Sequence, residues 1–154
     1  MDTRPPVPEP KLGPYPLTEE GVAALLGRYA FHDSVVRRIV LDQEWGPGGS
    51  RVARLVIDAR VLIEGARWED LPWEPVCLDL LDVRRFRIDE NIEGSWVIFD
   101  PPQFTRFDGL LQVDWGAERF GSLHPENAED VFDGSALVFA ASGGTWSALH
   151  PWDQ

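Results

Sequence analysis

His32, Asp33 and Ser34 stand side by side at the mouth of an apolar run, and they are the three side-chain types of a hydrolytic triad. Adjacency works against that chemistry. A nucleophile and its base must meet within about 2.6 to 3.2 Å, whereas neighbours on a strand point to opposite faces and residues two apart lie roughly 6 to 7 Å from each other. Triads gather their members from distant parts of a chain, so order in sequence is no guide to them. The trio therefore reads as a structural motif, in which Asp33 and Ser34 bind nearby backbone N–H groups where the chain turns from Tyr29 into a strand. No catalytic residue is expected here, and a non-enzymatic protein is the reading.

Metal and phosphate chemistry are no better supplied. Zinc asks for four close ligands, commonly with two at short spacing, and the sequence holds no His-x-His, Cys-x-x-Cys or His-Glu-x-x-His. His124 and His150 each precede a proline, which marks them as strand exits. The glycines of Gly46–Ser50 have no lysine and no helical pattern after them, so a hairpin turn explains them more simply than a phosphate cradle. Neither a metal nor another cofactor is expected.

Two features suit recognition instead. Glu126, Glu129, Asp130 and Asp133 cluster in a loop or single helical turn that lacks the alternation and glycine of a calcium loop. Such a cluster is either a solvated face or a docking surface, since focused negative potential speeds association with a basic partner. Trp68 and Trp73 lie in a proline-bearing loop between two long strands, where indoles either close one end of the core, anchor a protein or stack on a sugar. Trp96, Trp115 and Trp146 fall on predicted strands and are expected in the core.

Charge narrows the partner. Lys+Arg 14 against Asp+Glu 26 gives a net charge of −12, and the 9 acidic and 2 basic residues of 94–154 supply −7 of it. Such a surface repels nucleic acid and anionic lipid unless a local basic patch intervenes. The one cysteine, Cys77, cannot form an internal disulfide, and no apolar run approaches a membrane helix. The first residues lack the basic-then-apolar layout of a secretory signal, so a cytoplasmic protein is expected.

The elements that must position these residues are mostly strands. Residues 1–17 form a proline-rich extended arm, with six prolines between Arg4 and Pro16, leading into a single mainly-β domain over 18–154. One short helix follows the arm: Thr18 caps it, Glu19 and Glu20 suit its start, Val22, Leu25 and Leu26 form its buried side, and Gly27 suits a left-handed exit. Beyond it the period becomes two. In Arg54–Glu64 the apolar residues Leu55, Ile57, Ala59, Val61 and Ile63 share one parity. Comparable runs at Val35–Leu41, Val76–Ile88, Ser95–Phe99, Leu111–Trp115, Arg119–Leu123, Ala136–Ala141 and Thr145–Leu149 bring the number to about eight. Gly143-Gly144 predicts a hairpin turn between the last two, Trp115–Arg119 predicts another, and two parity slips within Val76–Asp89 predict bulges or a strand that bends across the sandwich. With no helix between successive strands, the expected fold is mainly β: an antiparallel β-sandwich or curled sheet with one short N-terminal helix.

The run Phe31–Asp42, followed by Arg51–Val61 and then Val76–Asp89, resembles the opening of a family of small bacterial β proteins. That family shows an N-terminal Phe-His-Asp-Ser motif and includes immunity proteins encoded beside polymorphic toxins, together with many members that have no known role. The matching positions are Phe31, His32, Asp33, Ser34, Val35 and Ile39, then Leu80, Val83 and Phe86; Leu80 and Asp82 depart from the phenylalanine and glycine common in the family. The resemblance implies a β fold and a small soluble protein with a toxin partner, and it supplies no catalytic residue to carry over. The expectation that follows is an immunity-like binding protein that meets a basic protein toxin through an acidic and aromatic surface, with carbohydrate or small-molecule binding by Trp68 and Trp73 as the alternative.

Overall fold

Alternating patterns become strands where a partner strand lies alongside, and the long runs do so here in chain order. A computed structural model describes residues 3–89, 97–98, 101–115, 125–133, 135 and 137–153. Strand β1 (Pro10–Pro16) is followed by helix α1 (Glu19–Arg28), β2 (Tyr29–Gln43), β3 (Arg51–Val61), β4 (Trp73–Ile88), β5 (Val97–Ile98), β6 (Gln103–Phe107), β7 (Leu110–Asp114), helix α2 (Ala128–Asp133) and β8 (Leu137–Leu149). All described pairs are antiparallel, in the order β5-β2-β3-β4-β8-β7-β6, with β1 attached to β8. The curled-sheet form of the expected fold is the one adopted. Phe31 near the start of β2 meets Trp115 after β7 at 5.5 Å between ring centroids, although three strands separate β2 from β7 in that order. With strands about 4.8 Å apart, a flat sheet would hold them roughly 19 Å apart, so the sheet bends around its core.

The concave side holds that core: Leu55, Ile57, Leu78, Leu80, Val113 and Phe139 are fully buried in it. Helix α1 adds Leu25, with Val22 and Leu26 packed at the margin, and Trp146 Nε1 donates to the Gly21 carbonyl at 2.8 Å to fix the helix on the sheet. Thr18 caps α1 as its sequence predicts, its hydroxyl accepting from Gly21 N at 3.1 Å. The exit differs. Gly27 is helical, and the helix ends one residue later because Tyr29 is already extended (φ −118°) as the first residue of β2. Trp115 and Trp146 are buried as expected, whereas Trp96, Arg119–Leu123, His124 and most of the Trp115–Arg119 turn lie outside the described residues.

Gly143-Gly144 is no turn: β8 runs straight through it, Gly143 opposite Leu81 and Gly144 opposite Leu80. The long ladder with β4 overrides the local turn signal, and the glycines serve close approach instead, since a Cβ on Gly144 would run into the Asp79 carbonyl oxygen while one on Gly143 would meet nothing. Gly144→Ala is expected to cost about 1 to 3 kcal/mol in urea unfolding, because the neighbouring backbone must shift, whereas Gly143→Ala should sit near wild type. Next, the bulge expected in β4 is present: Asp82 takes φ 51° and the register shifts between Val83 and Arg85. Finally, the arm is extended but not loose, for Pro10–Pro16 pairs with the half of the β8 edge that β7 leaves uncovered. Among the described residues no helix is long and apolar enough to cross a membrane.

Candidate functional site

One end of the sheet brings together the start of β2, the end of β3 and the start of β4, with Tyr29 opposite Val61 and Arg60 opposite Trp73. The β3–β4 connection loops over this end through a turn closed by Ala66 N on the Ile63 carbonyl at 3.2 Å and then a 3₁₀ turn, Trp68–Asp70. Arg60 ties the loop down. Its Nη1 donates to the carbonyls of Trp68 and Leu71, both at 3.1 Å, and its guanidinium lies over both indoles, 5.1 Å from Trp68 and 4.5 Å from Trp73. The two tryptophans read from sequence as a pair are thus held by one cation, yet remain 38% and 48% exposed. Leu62 and Ile63 are exposed beside them, and Glu64, Glu69 and Asp70 are exposed on the same loop, Arg67 pairing with the last two. The result is an apolar centre with an acidic rim.

His32, Asp33 and Ser34 reach this end in a way sequence did not foresee. Between Ala30 and Val35 the β2 register slips by three residues against β3, and Asp33 sits in the left-handed region at φ 60°. The motif is a bulge within β2. It turns His32 outward, where the imidazole lies 5.7 Å from the Trp68 ring and 3.5 Å from the Asp33 carboxylate, both side chains being solvent-exposed. Ser34 points inward, and its Oγ is buried without a hydrogen-bond partner among the described residues. The expected capping of backbone N–H groups by Ser34 is therefore absent, because the bulge carries that hydroxyl into the sheet. His32 and Ser34 face opposite ways, so the trio makes no nucleophile–base pair.

Behind the aromatic end lies a polar cluster that the sequence reading missed. Glu74 is only 9% exposed and accepts from Tyr29 Oη at 2.5 Å, from Arg28 Nη2 at 2.9 Å and from Lys11 Nζ at 3.1 Å. Burial pushes the Glu74 carboxyl up, but the bonds from Tyr29, Arg28 and Lys11 outweigh it and hold the group below its ordinary value. Burial and the bond to Glu74 push the Tyr29 hydroxyl well above its usual range. A signal was available: Glu74 shares the inward parity of Val76, Leu78 and Leu80, and a carboxylate on an apolar parity needs a buried cation.

No family model, curated protein or solved structure matches the chain.

The remaining expected residues lie elsewhere. Glu129, Asp130 and Asp133 belong to α2, which sits on the convex side through Val131 and Phe132, packed with Val138 and Ala140. Asp130 accepts from Glu126 N at 3.0 Å, and Glu129 pairs with Arg85 at 2.5 Å, so two of the four carboxylates serve local structure. Arg85 stands near the far end of β4, twelve positions from Trp73. The acidic helix and the two indoles therefore do not form one surface. Trp45, fully exposed in the β2–β3 hairpin loop, was not singled out from sequence and lies at the end of β3 opposite Arg60. A groove of about 250 Å³ between the arm and the sheet is lined by Arg54, Cys77 and Asp79 among others. Arg54 and Asp79 already bind each other at 2.7 Å, and burial pushes the Cys77 thiol up to about 12, which makes it a packing group rather than a nucleophile.

Proposed function

We propose that this is a non-enzymatic binding protein, immunity-like, that docks a basic protein partner at the aromatic end of its sheet. The observation that carries the reading is the Trp68–Arg60–Trp73 arrangement with its acidic rim. Tryptophan and arginine dominate binding hot spots, which lie in the centre of an interface inside a more polar border, and holding the side chains in place beforehand reduces the ordering cost of association. Glu64, Glu69 and Asp70, in a chain of net charge −12, favour a cationic partner. The family resemblance at Phe31–Ser34 points the same way, and its bulge is what brings His32 against Trp68. Carbohydrate binding by the exposed parts of the same two indoles is the alternative reading.

The test is affinity against ionic strength for the full chain and a captured basic partner. Binding is expected to weaken steadily as the Debye length falls from about 10 Å at 0.1 M salt to about 3 Å at 1 M. A complex that holds unchanged across that range would remove the acidic rim from the account. Tryptophan fluorescence titrated with a sugar panel should stay flat, and a saturable change would favour the carbohydrate reading instead.

A further inference from the structure

The segment that covers β8 has unusual attachments. All seven residues of β1 are exposed, three of them are prolines without a donor, and the register with β8 breaks twice between Pro10 and Tyr15. Its hold comes from contacts to the rest of the fold: Arg38 Nη2 donating to the Pro5 carbonyl at 2.7 Å, Lys11 on Glu74 at 3.1 Å, Tyr15 on the Trp146 ring at 4.9 Å, the Glu9 carbonyl accepting from His150 N at 2.9 Å, and Val7 against Val56, Cys77 and Leu149. Beneath it lies the β8 edge Thr145–Leu149, a row of backbone groups that would otherwise be free to pair with another strand. The connection from β1 to α1 is only Leu17-Thr18, folded back so tightly that a Cβ on Gly21 would collide with the Pro16 carbonyl.

We propose that this arm is exchangeable: residues 3–16 of one copy can occupy the β8 edge of a second copy, and the reverse, giving a symmetric dimer built from the contacts seen within one chain. A site that already fits this segment fits the same segment from an identical chain. What changes is the connection, and short, tightly folded hinges favour such exchange because the dimer lets them straighten. The linked arm competes at an effective concentration in the millimolar range, so the closed monomer prevails in dilute solution and exchange grows toward that concentration.

Leu12 and Ala148 are Cα partners across the β1–β8 pair, which makes them a reporter. In the full chain carrying Leu12→Cys and Ala148→Cys with Cys77→Ala, oxidation links the closed form within a chain and the exchanged form between chains. The expected result is an interchain product at least ~10-fold more abundant after incubation at ~1 mM than at ~10 µM, and lowered at least ~10-fold by a Gly-Ser-Gly-Ser insertion between Leu17 and Thr18. Linkage within chains alone at every concentration would overturn the proposal, as would a product that ignores the insertion. Should the cysteine variant not fold, sedimentation of the unsubstituted chain decides. A dimer abolished by the insertion supports exchange; a monomer throughout, or a dimer that survives the insertion, refutes it.

Discussion

Glu74→Ala should lower the stability of the fold by about 1 to 3 kcal/mol, chiefly the cost of leaving the buried Tyr29 hydroxyl without its acceptor, since water can reach the partly exposed Arg28. Three donors converge on this carboxylate from β1, α1 and β2, so the substitution takes the acceptor from the Arg28 guanidinium and the Tyr29 hydroxyl at once. Lys11→Ala removes a half-exposed partner and should cost only about 0 to 1 kcal/mol. Urea unfolding of the two variants beside wild type separates them. The pH dependence has a definite sign. Because the folded-state pKa of Glu74 lies below its ordinary value of 4.5, its contribution is complete above that value and is lost as the pH falls through the folded one. Tyr29 acts at the other extreme: its folded value is raised, so its share is present below its ordinary 10.0 and is lost as the pH rises through the folded value. The gap between wild type and Glu74→Gln should therefore be widest at intermediate pH and close on acidification; a gap that persists unchanged well below pH 4.5 would contradict the assignment.

Trp73→Ala is expected to weaken the partner complex by about 2 to 4 kcal/mol, roughly 30- to 1,000-fold in Kd, with Trp68→Ala in the same range. Stability should change far less, because both indoles are substantially exposed and neither belongs to the core cluster. Arg60→Ala tests the arrangement rather than the individual rings. It removes the cation held against both indoles and the two bonds that hold the loop, so it should reproduce much of the loss with both tryptophans intact. Neutralising Glu126 and Asp133 serves as the control, since α2 lies toward the far end of β4; their substitution should leave Kd within about threefold, the scale of a distant rim charge. A reversed outcome, with the helix carboxylates dominant and the indoles silent, would move the docking site to α2.

The architecture was largely legible, and the site only in part. Arg54–Glu64 announces a half-buried strand because burial on one face enforces a period of two, and β3 carries that pattern into the core. Gly143-Gly144 misleads for a related reason. Glycine signals a turn when only the local chain is considered, but here it answers to the Asp79 backbone on another strand, a constraint that exists only after folding. Pro10–Pro16 was readable as extended yet not as paired, since its partners lie 129 to 139 positions away. Trp68 and Trp73 were visible by type and spacing, whereas the guanidinium joining them belongs to the preceding strand and reads there as an ordinary outward charge. His32 joined them through a bulge that propensity does not specify.

The order of the strands also bears on how the chain matures. β2, β3 and β4 pair in succession as hairpin neighbours, so they can assemble as they leave the ribosome. β1 and β7, by contrast, both rest on β8, the last of the described strands to be made, and β4 spends its second edge there too. Until residue 149 emerges, β1, β4 and β7 each lack the strand that they pair with in the finished fold. Truncation before Leu149 should thus yield a chaperone client rather than a smaller version of the protein.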